Sequence, residues 1–186
     1  PITDGRALLH YFRTTNDGRI LFGWAGGRMA CGGRAAGRMD VDADAAGQAA
    51  RDLVRFFPTL RGRQIEHAWG GPIDVSPTHL PVAVSLPGGR AFAGFGFTGN
   101  GVGPSHLLGR VLAGLALGRG DALTGLALVD PPPVRVPPEP LRVAGAALIR
   151  RALVRREAIE ETGARADALT RGLTALPELL GMHIVR

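Results

Sequence analysis

Residues 90–118 read RAFAGFGFTGNGVGPSHLLGRVLAGLALG, and two periodicities meet inside them. Ala91 to Phe97 alternates small and aromatic residues as a buried strand can. Ser105 to Leu117 places Leu107, Leu108, Val111, Leu112, Leu115 and Ala116 at the three-to-four spacing of a helix. A strand, a turn and a helix are therefore expected. Gly96, Gly99, Gly101 and Gly103 fill the turn, and glycine both tolerates positive φ and lets backbone come close to another molecule. The helix beyond would aim free N–H groups and its positive dipole end at that molecule, which suits an anion or an electron-rich ring. A plain tight connection uses the same residues. The spacing is also not that of the dinucleotide fingerprint G-x-G-x-x-G, whose acidic residue about twenty positions later is met only loosely by Asp121. On the residues alone, a ligand turn and a simple turn both stand.

Outward from this stretch, the chain has 186 residues, 45% apolar and 20% charged, the balance of an ordinary globular core. The net charge of +6 would raise nucleic acid or an anionic membrane as partners. All 22 basic residues are Arg, however, in a chain rich in Ala, Gly and Pro, which points to compositional bias as readily as to phosphate contacts. Aromatic content of 5% is low for stacking on bases, so neither partner is expected. The single cysteine, Cys31, leaves no internal disulfide and no multi-cysteine metal site. His10, His67, His79, His106 and His183 have no metal-ligand spacing to one another, and no metal is expected. No apolar run approaches a membrane span, because Arg110 interrupts the best candidate; cytoplasmic localisation is the expectation.

In chain order, Leu8 to Thr14 and Arg19 to Trp24 flank Thr15-Asn16-Asp17-Gly18, the pattern of a β-hairpin. Gly26 to Gly37 reads as a loop, with Arg28, Arg34 and Arg38 as solvated surface. Asp40, Asp42 and Asp44 precede a helical pattern from Ala46 to Phe57 and suit a helix N-terminus; Pro58 ends it. The aspartates lack the glycine and glutamate of a calcium loop. Gln64 to Trp69 reads as a strand continuing through Gly70-Gly71-Pro72 into Ile73 to Ser76. Val82 to Leu86 and the turn Pro87-Gly88-Gly89 lead back to the central strand. After Gly118, prolines at 131–133, 137, 138 and 140 mark an extended linker. Leu141 to Glu161 then makes an arginine-rich amphipathic helix, and Ala166 to Leu176 a shorter one ending before Pro177. The expected class is α+β, with an antiparallel or mixed sheet.

Three ordered motifs, HYFRTTNDGRILFGW, HAWGGPIDVSPTHLPV and GFGFTGNGVGPSHLLGRVLAGLALG, together resemble the C-terminal part of FAD-dependent oxidoreductases of the D-amino-acid oxidase superfamily. The resemblance covers roughly Leu9 to Leu117. It implies a substrate-domain portion over 1–89 and a flavin-contacting strand-turn-helix over 90–120 that completes the FAD domain; composition adds a Pro-rich linker over 121–140 and an Arg-rich helical tail over 141–186. It also implies that Phe97, Thr98, Gly99, Asn100, Gly101 and Val102 lie against the isoalloxazine ring, with Gly71 and Pro72 on the same side, and that the helix dipole favours negative charge on the reduced ring. No catalytic side chain is assigned.

The departures from the family pattern are informative. Some sarcosine-oxidase-like members link a cysteine covalently to the flavin; Gly71 stands at that position, so FAD is expected to be bound non-covalently. Glycine-oxidase-like members carry an Arg for the substrate carboxylate where Ile73 stands. The WGG-P-I version is closer to the amine-oxidising subgroup typified by gamma-glutamylputrescine oxidoreductase, which favours an amine over a simple amino acid, since the bidentate partner of a carboxylate is missing. Asp74, next in the chain, is a candidate for attracting a substrate ammonium and equally for facing solvent, since a strand's alternation allows either. Relatives often have His where Asn100 stands and some have Lys where Gly103 stands, which leaves the oxidant open. The family opens with a Rossmann portion carrying G-x-G-x-x-G, and the start PITDGRALLHYF has none. An N-terminal Rossmann portion of the same protein is therefore an expected partner, and the chain by itself is expected to be inactive. The rival readings are a non-catalytic fragment or binding module lacking that half, and a glycine- or sarcosine-oxidising enzyme.

Overall fold

A computed structural model describes residues 1–33, 41–134 and 136–182. Arg34, Arg38, Asp40 and His183, named above, lie outside the described residues, as does the end of the expected loop. The fold is α+β, with small antiparallel sheets and four α-helices among the described residues. Contacts divide it into two compact units: Pro1–Pro72 with Pro137–Leu180, and Ile73–Val136 with the short 181–182 segment.

In the first unit, β2 (His10–Thr14) and β3 (Ile20–Trp24) form the expected hairpin, in antiparallel register from His10 opposite Trp24 to Thr14 opposite Ile20. Gly18 takes φ 79° in the turn, and the Thr15 N–H reaches the Arg19 carbonyl at 2.9 Å. β1 (Ile2–Thr3) pairs with the other edge of β2. α1 (Ala43–Phe56) begins three residues before the apolar pattern does, because Asp42 caps it: its carboxylate accepts the N–H groups of Asp44 and Ala45 at 3.0 and 3.2 Å. Strand alternation puts His10 and Phe12 on one face with Phe22, and α1 lays Phe56 against them. Ring centroids lie 5.6 Å apart for Phe22–Phe56 and 5.1 Å for Phe12–Phe57.

α3 (Leu141–Glu160) and α4 (Ala168–Leu179) complete this unit. Arg150 on α3 is half-buried, donating to the Gly26 carbonyl at 2.7 Å with its guanidinium 5.4 Å from the Trp24 ring. Burial beside Arg28 holds its pKa below the usual guanidinium value. α4 does not stop before Pro177 as expected; it runs on to Leu179 with Pro177 buried inside it. Proline gives up its own N–H bond and crowds the carbonyl one turn back, but this falls in the last turn, and the Leu180 N–H still returns to the Leu176 carbonyl at 3.2 Å.

Gln64 to Trp69 is not a strand. A strand needs a neighbour to pair with, and among the described residues this exposed stretch has none; pairing begins only at Val75, which bridges to Phe97.

In the second unit, β4 (Val82–Ser85) and β5 (Phe92–Phe95) pair antiparallel, Val82 opposite Phe95 and Ser85 opposite Phe92, around a turn with Gly88 and Gly89 at φ 93° and 64°. α2 (Val102–Ala116) packs on them through a core of Ala83, Leu108 and Val111, flanked by Phe97, Leu112, Leu115 and Leu128. The approach is close: a Cβ on Gly94 of β5 would lie 2.4 Å from Leu108 Cδ2. The following segment returns along β4, with Ala83 N–H to Leu128 O at 2.9 Å and Asp130 N–H to Ala83 O at 2.8 Å.

Candidate functional site

The turn between β5 and α2 is built from backbone. Gly96, Thr98 and Gly99 adopt φ 84°, 52° and 79°, so three of four successive residues are left-handed. Glycine takes this course freely, whereas a β-branched threonine does so only when its surroundings hold it. The Asn100 N–H closes the turn on the Phe97 carbonyl at 3.0 Å, and α2 begins at Val102. The helix therefore starts three residues earlier than its apolar spacing indicates, which places Pro104 in the first turn, where a missing N–H costs nothing.

The start of α2 is open backbone. No side chain caps α2 and its first turn carries no acidic residue, so the first-turn N–H groups of Val102 and Gly103 have no helical acceptor. Val102 is 96% exposed, and a Cβ on Gly103 would meet nothing within 4 Å. At Gly101 an added Cβ would touch the Phe97 ring at 3.4 Å. What faces outward at the turn is amide backbone on the positive side of a helix dipole.

Ile73 and Asp74 come to the same turn, which sequence reasoning left open. An added Cβ at Gly99 would sit 3.6 Å from Ile73 Cδ1. The Asp74 carboxylate accepts the Gly96 N–H, and its carbonyl accepts the Thr98 N–H at 3.0 Å. Ser76 belongs to this cluster and was not singled out: its N–H donates to Thr98 Oγ1 at 3.2 Å and its hydroxyl to the Leu80 carbonyl at 2.9 Å. A Ser two positions beyond Asp74, on the same side of an extended segment, was the available signal. Gly71 and Pro72 belong to the first unit and the other candidate residues to the second. His79 has φ 58° and closes a turn on the Ser76 carbonyl at 3.2 Å.

The first unit also contains a concavity lined by Arg6, Arg156, Glu157, Glu160 and Glu161. Several of its charged groups are already engaged: Arg6 pairs with Glu161, Arg156 with Glu160 at 2.7 Å, and Glu157 accepts the Leu8 N–H at 3.0 Å. Among the described residues no group of three or more His, Cys, Asp or Glu is placed to hold a metal, and no helix is long and apolar enough to cross a membrane.

The sequence model of the FAD dependent oxidoreductase family (DAO) matches residues 1–115. The chain belongs to this family. It is 32% identical over 122 residues to the probable oxidoreductase OrdL of Rhizobium meliloti (strain 1021), covering 66% of this chain and 26% of that protein. To the gamma-glutamylputrescine oxidoreductase of Escherichia coli (strain K12) it is 33% identical over 121 residues, covering 65% and 26%. To the probable oxidoreductase OrdL of Haemophilus influenzae it is 28% identical over 123 residues, covering 66% and 25%. The matched segment thus spans about a quarter of each of these curated relatives. No solved structure matches the chain.

Proposed function

We propose that this chain supplies the flavin-facing turn and part of the substrate side of an oxidoreductase acting on the C–N bond of an amine. The observation that carries the proposal is the open amide backbone at the start of α2 with Ile73, a largely exposed apolar side chain, near Gly99 just before it. Phe97, Thr98, Gly99, Asn100, Gly101 and Val102 would hold FAD through backbone, and Gly71 and Pro72 remain candidate contacts on the family resemblance. Gly71 in place of a cysteine makes the binding non-covalent. FAD, when bound, supplies the acceptor for a hydride from the carbon next to nitrogen, and the resulting imine is hydrolysed by water.

The residues of this chain orient and exclude. Ile73 offers no guanidinium, so an α-carboxylate would meet an apolar side chain where it needs two charge-assisted hydrogen bonds. An amine without that carboxylate loses nothing there, and the likeness to an oxidoreductase named for gamma-glutamylputrescine supports this preference. The chain works with a Rossmann-type portion of the same protein, which supplies the ADP-binding half. A cytoplasmic setting suits its exposed Cys31.

The test compares kcat/KM for amines with that for glycine and sarcosine, in the flavin-loaded full-length protein and its Ile73→Arg variant. Wild type favours the amines. Ile73 is 61% exposed, so the longer side chain can be accommodated, and the variant gains about tenfold or more on the amino acids. A correctly folded variant with no gain would count against an amine-selecting role for Ile73.

A further inference from the structure

The turn before α2 is held on one side by the short segment 74–76. Left-handed residues at 96, 98 and 99 turn the Gly96 and Thr98 N–H groups away from any regular strand ladder. Asp74 answers both: its side-chain oxygen takes the Gly96 N–H, and its main-chain oxygen takes the Thr98 N–H at 3.0 Å. Thr98 Oγ1 closes the cluster, accepting the Ser76 N–H at 3.2 Å and donating to the Gly96 carbonyl at 3.2 Å. The Val75–Phe97 bridge keeps the two segments in register, and Gly96 is so near Ser76 that an added Cβ would lie 3.0 Å from Ser76 Cβ.

We propose that Asp74 is a positioning residue for the flavin turn: its carboxylate and its carbonyl together fix the left-handed course of Gly96–Gly99, and its charge does not serve the substrate. This rests on the function proposed above. A carboxylate that points at a backbone N–H acts as an acceptor, and it accepts more strongly than an amide because the bond is charge-assisted. An asparagine offers an oxygen at nearly the same place without the charge. The two substitutions Asp74→Asn and Asp74→Ala therefore separate an acceptor role from a charge role. The Thr98 conformation gives the clasp its purpose: the anchor at Gly96 joins the bonds from the Asp74 carbonyl and the Ser76 N–H in holding a β-branched residue at φ 52°.

The experiment uses the full-length protein and reads amide hydrogen exchange over residues 92–104 alongside kcat and KM for a cationic amine. In Asp74→Ala, exchange at Gly96 speeds up about tenfold or more and kcat falls by a similar factor. Asp74→Asn restores both to within about threefold of wild type, with KM equally close. If Asp74→Asn keeps Gly96 protected yet raises KM about tenfold, the charge meets the substrate and the proposal is overturned; unchanged Gly96 exchange in Asp74→Ala overturns it too. Should Asp74→Ala fail to fold, the Asp74→Asn exchange and KM pair decides alone. If the protein binds no FAD, the proposed function fails by itself, and Gly96 exchange in the flavin-free protein still decides whether Asp74 holds the turn.

Discussion

Replacing His10 by leucine tests how the first unit is held. His10 is 1% exposed, with Nδ1 2.7 Å from Asp4 Oδ2 and Nε2 3.0 Å from Asp52 Oδ2. Each ring nitrogen thus faces a carboxylate oxygen within hydrogen-bond distance. The ring is packed between Phe22 and Phe56 at 5.5 and 5.2 Å, and leucine would fill much of that space. What it cannot do is answer two carboxylates. Removing one partner of a buried ionic cluster costs about 3–5 kcal/mol. Here Asp52 keeps Gln48 at 2.9 Å and Arg55 at 3.1 Å, Asp4 keeps the backbone N–H of residue 10 at 2.9 Å, and their side chains remain 10% and 17% exposed. That moves the expectation to the low end, about 3 kcal/mol, or a fall in Tm of roughly 6–12 °C for a chain of this size. Urea unfolding followed by circular dichroism measures it. Adding Asp4→Asn and Asp52→Asn to His10→Leu should recover part of the loss, because the penalty lies in the carboxylates left behind. A loss below about 1 kcal/mol, or no recovery in the triple variant, would refute the reasoning.

Three further outcomes follow from local geometry. Gly94→Ala drives a methyl into Leu108 and costs about 1–3 kcal/mol, whereas Gly109→Ala, with open space around it in α2, gains about 0.5–1 kcal/mol; chemical denaturation should give the two opposite signs. Asp167 caps α4 by accepting the Thr170 N–H at 2.9 Å and its hydroxyl at 2.8 Å, so Asp167→Ala should lower stability by about 1 kcal/mol, read in the same assay. The Arg19 guanidinium, then the Thr15 hydroxyl, holds Asp17 down at about 2, and hydrogen bonds from Thr170 hold Asp167 below the usual range. A depressed carboxylate contributes stability above its unfolded value of 3.8 and loses it as pH falls toward the folded value. Tm should therefore stay level through neutral pH and drop below about pH 4; a Tm that holds steady in acid would contradict this.

The hairpin at Thr15–Gly18 was legible because its turn chemistry is local, and α1 because Asp42 sits where a cap must. The glycine turn before α2 was legible for the same reason. Features that depend on a distant partner were not. Gln64–Trp69 has strand-like composition, but whether a strand forms depends on a neighbour that composition does not reveal. Pro177 reads as a stop only when burial is ignored. A lone His10 carries no mark of Asp4 and Asp52, six and forty-two residues away, and the Asp74–Gly96 bond spans twenty-two. Side chains that meet across the fold, Ser76 and Thr98 among them, become visible only once the backbone has brought them together.

The most direct test of the flavin site is the visible absorption spectrum of the purified full-length protein, recorded before and after anaerobic addition of candidate amines. The expected result is a flavin band that bleaches with an amine and is released with the free cofactor on denaturation, as non-covalent binding requires. A well-folded protein that stays colourless after incubation with FAD, or a flavin band that no amine bleaches while glycine or sarcosine does, would contradict it.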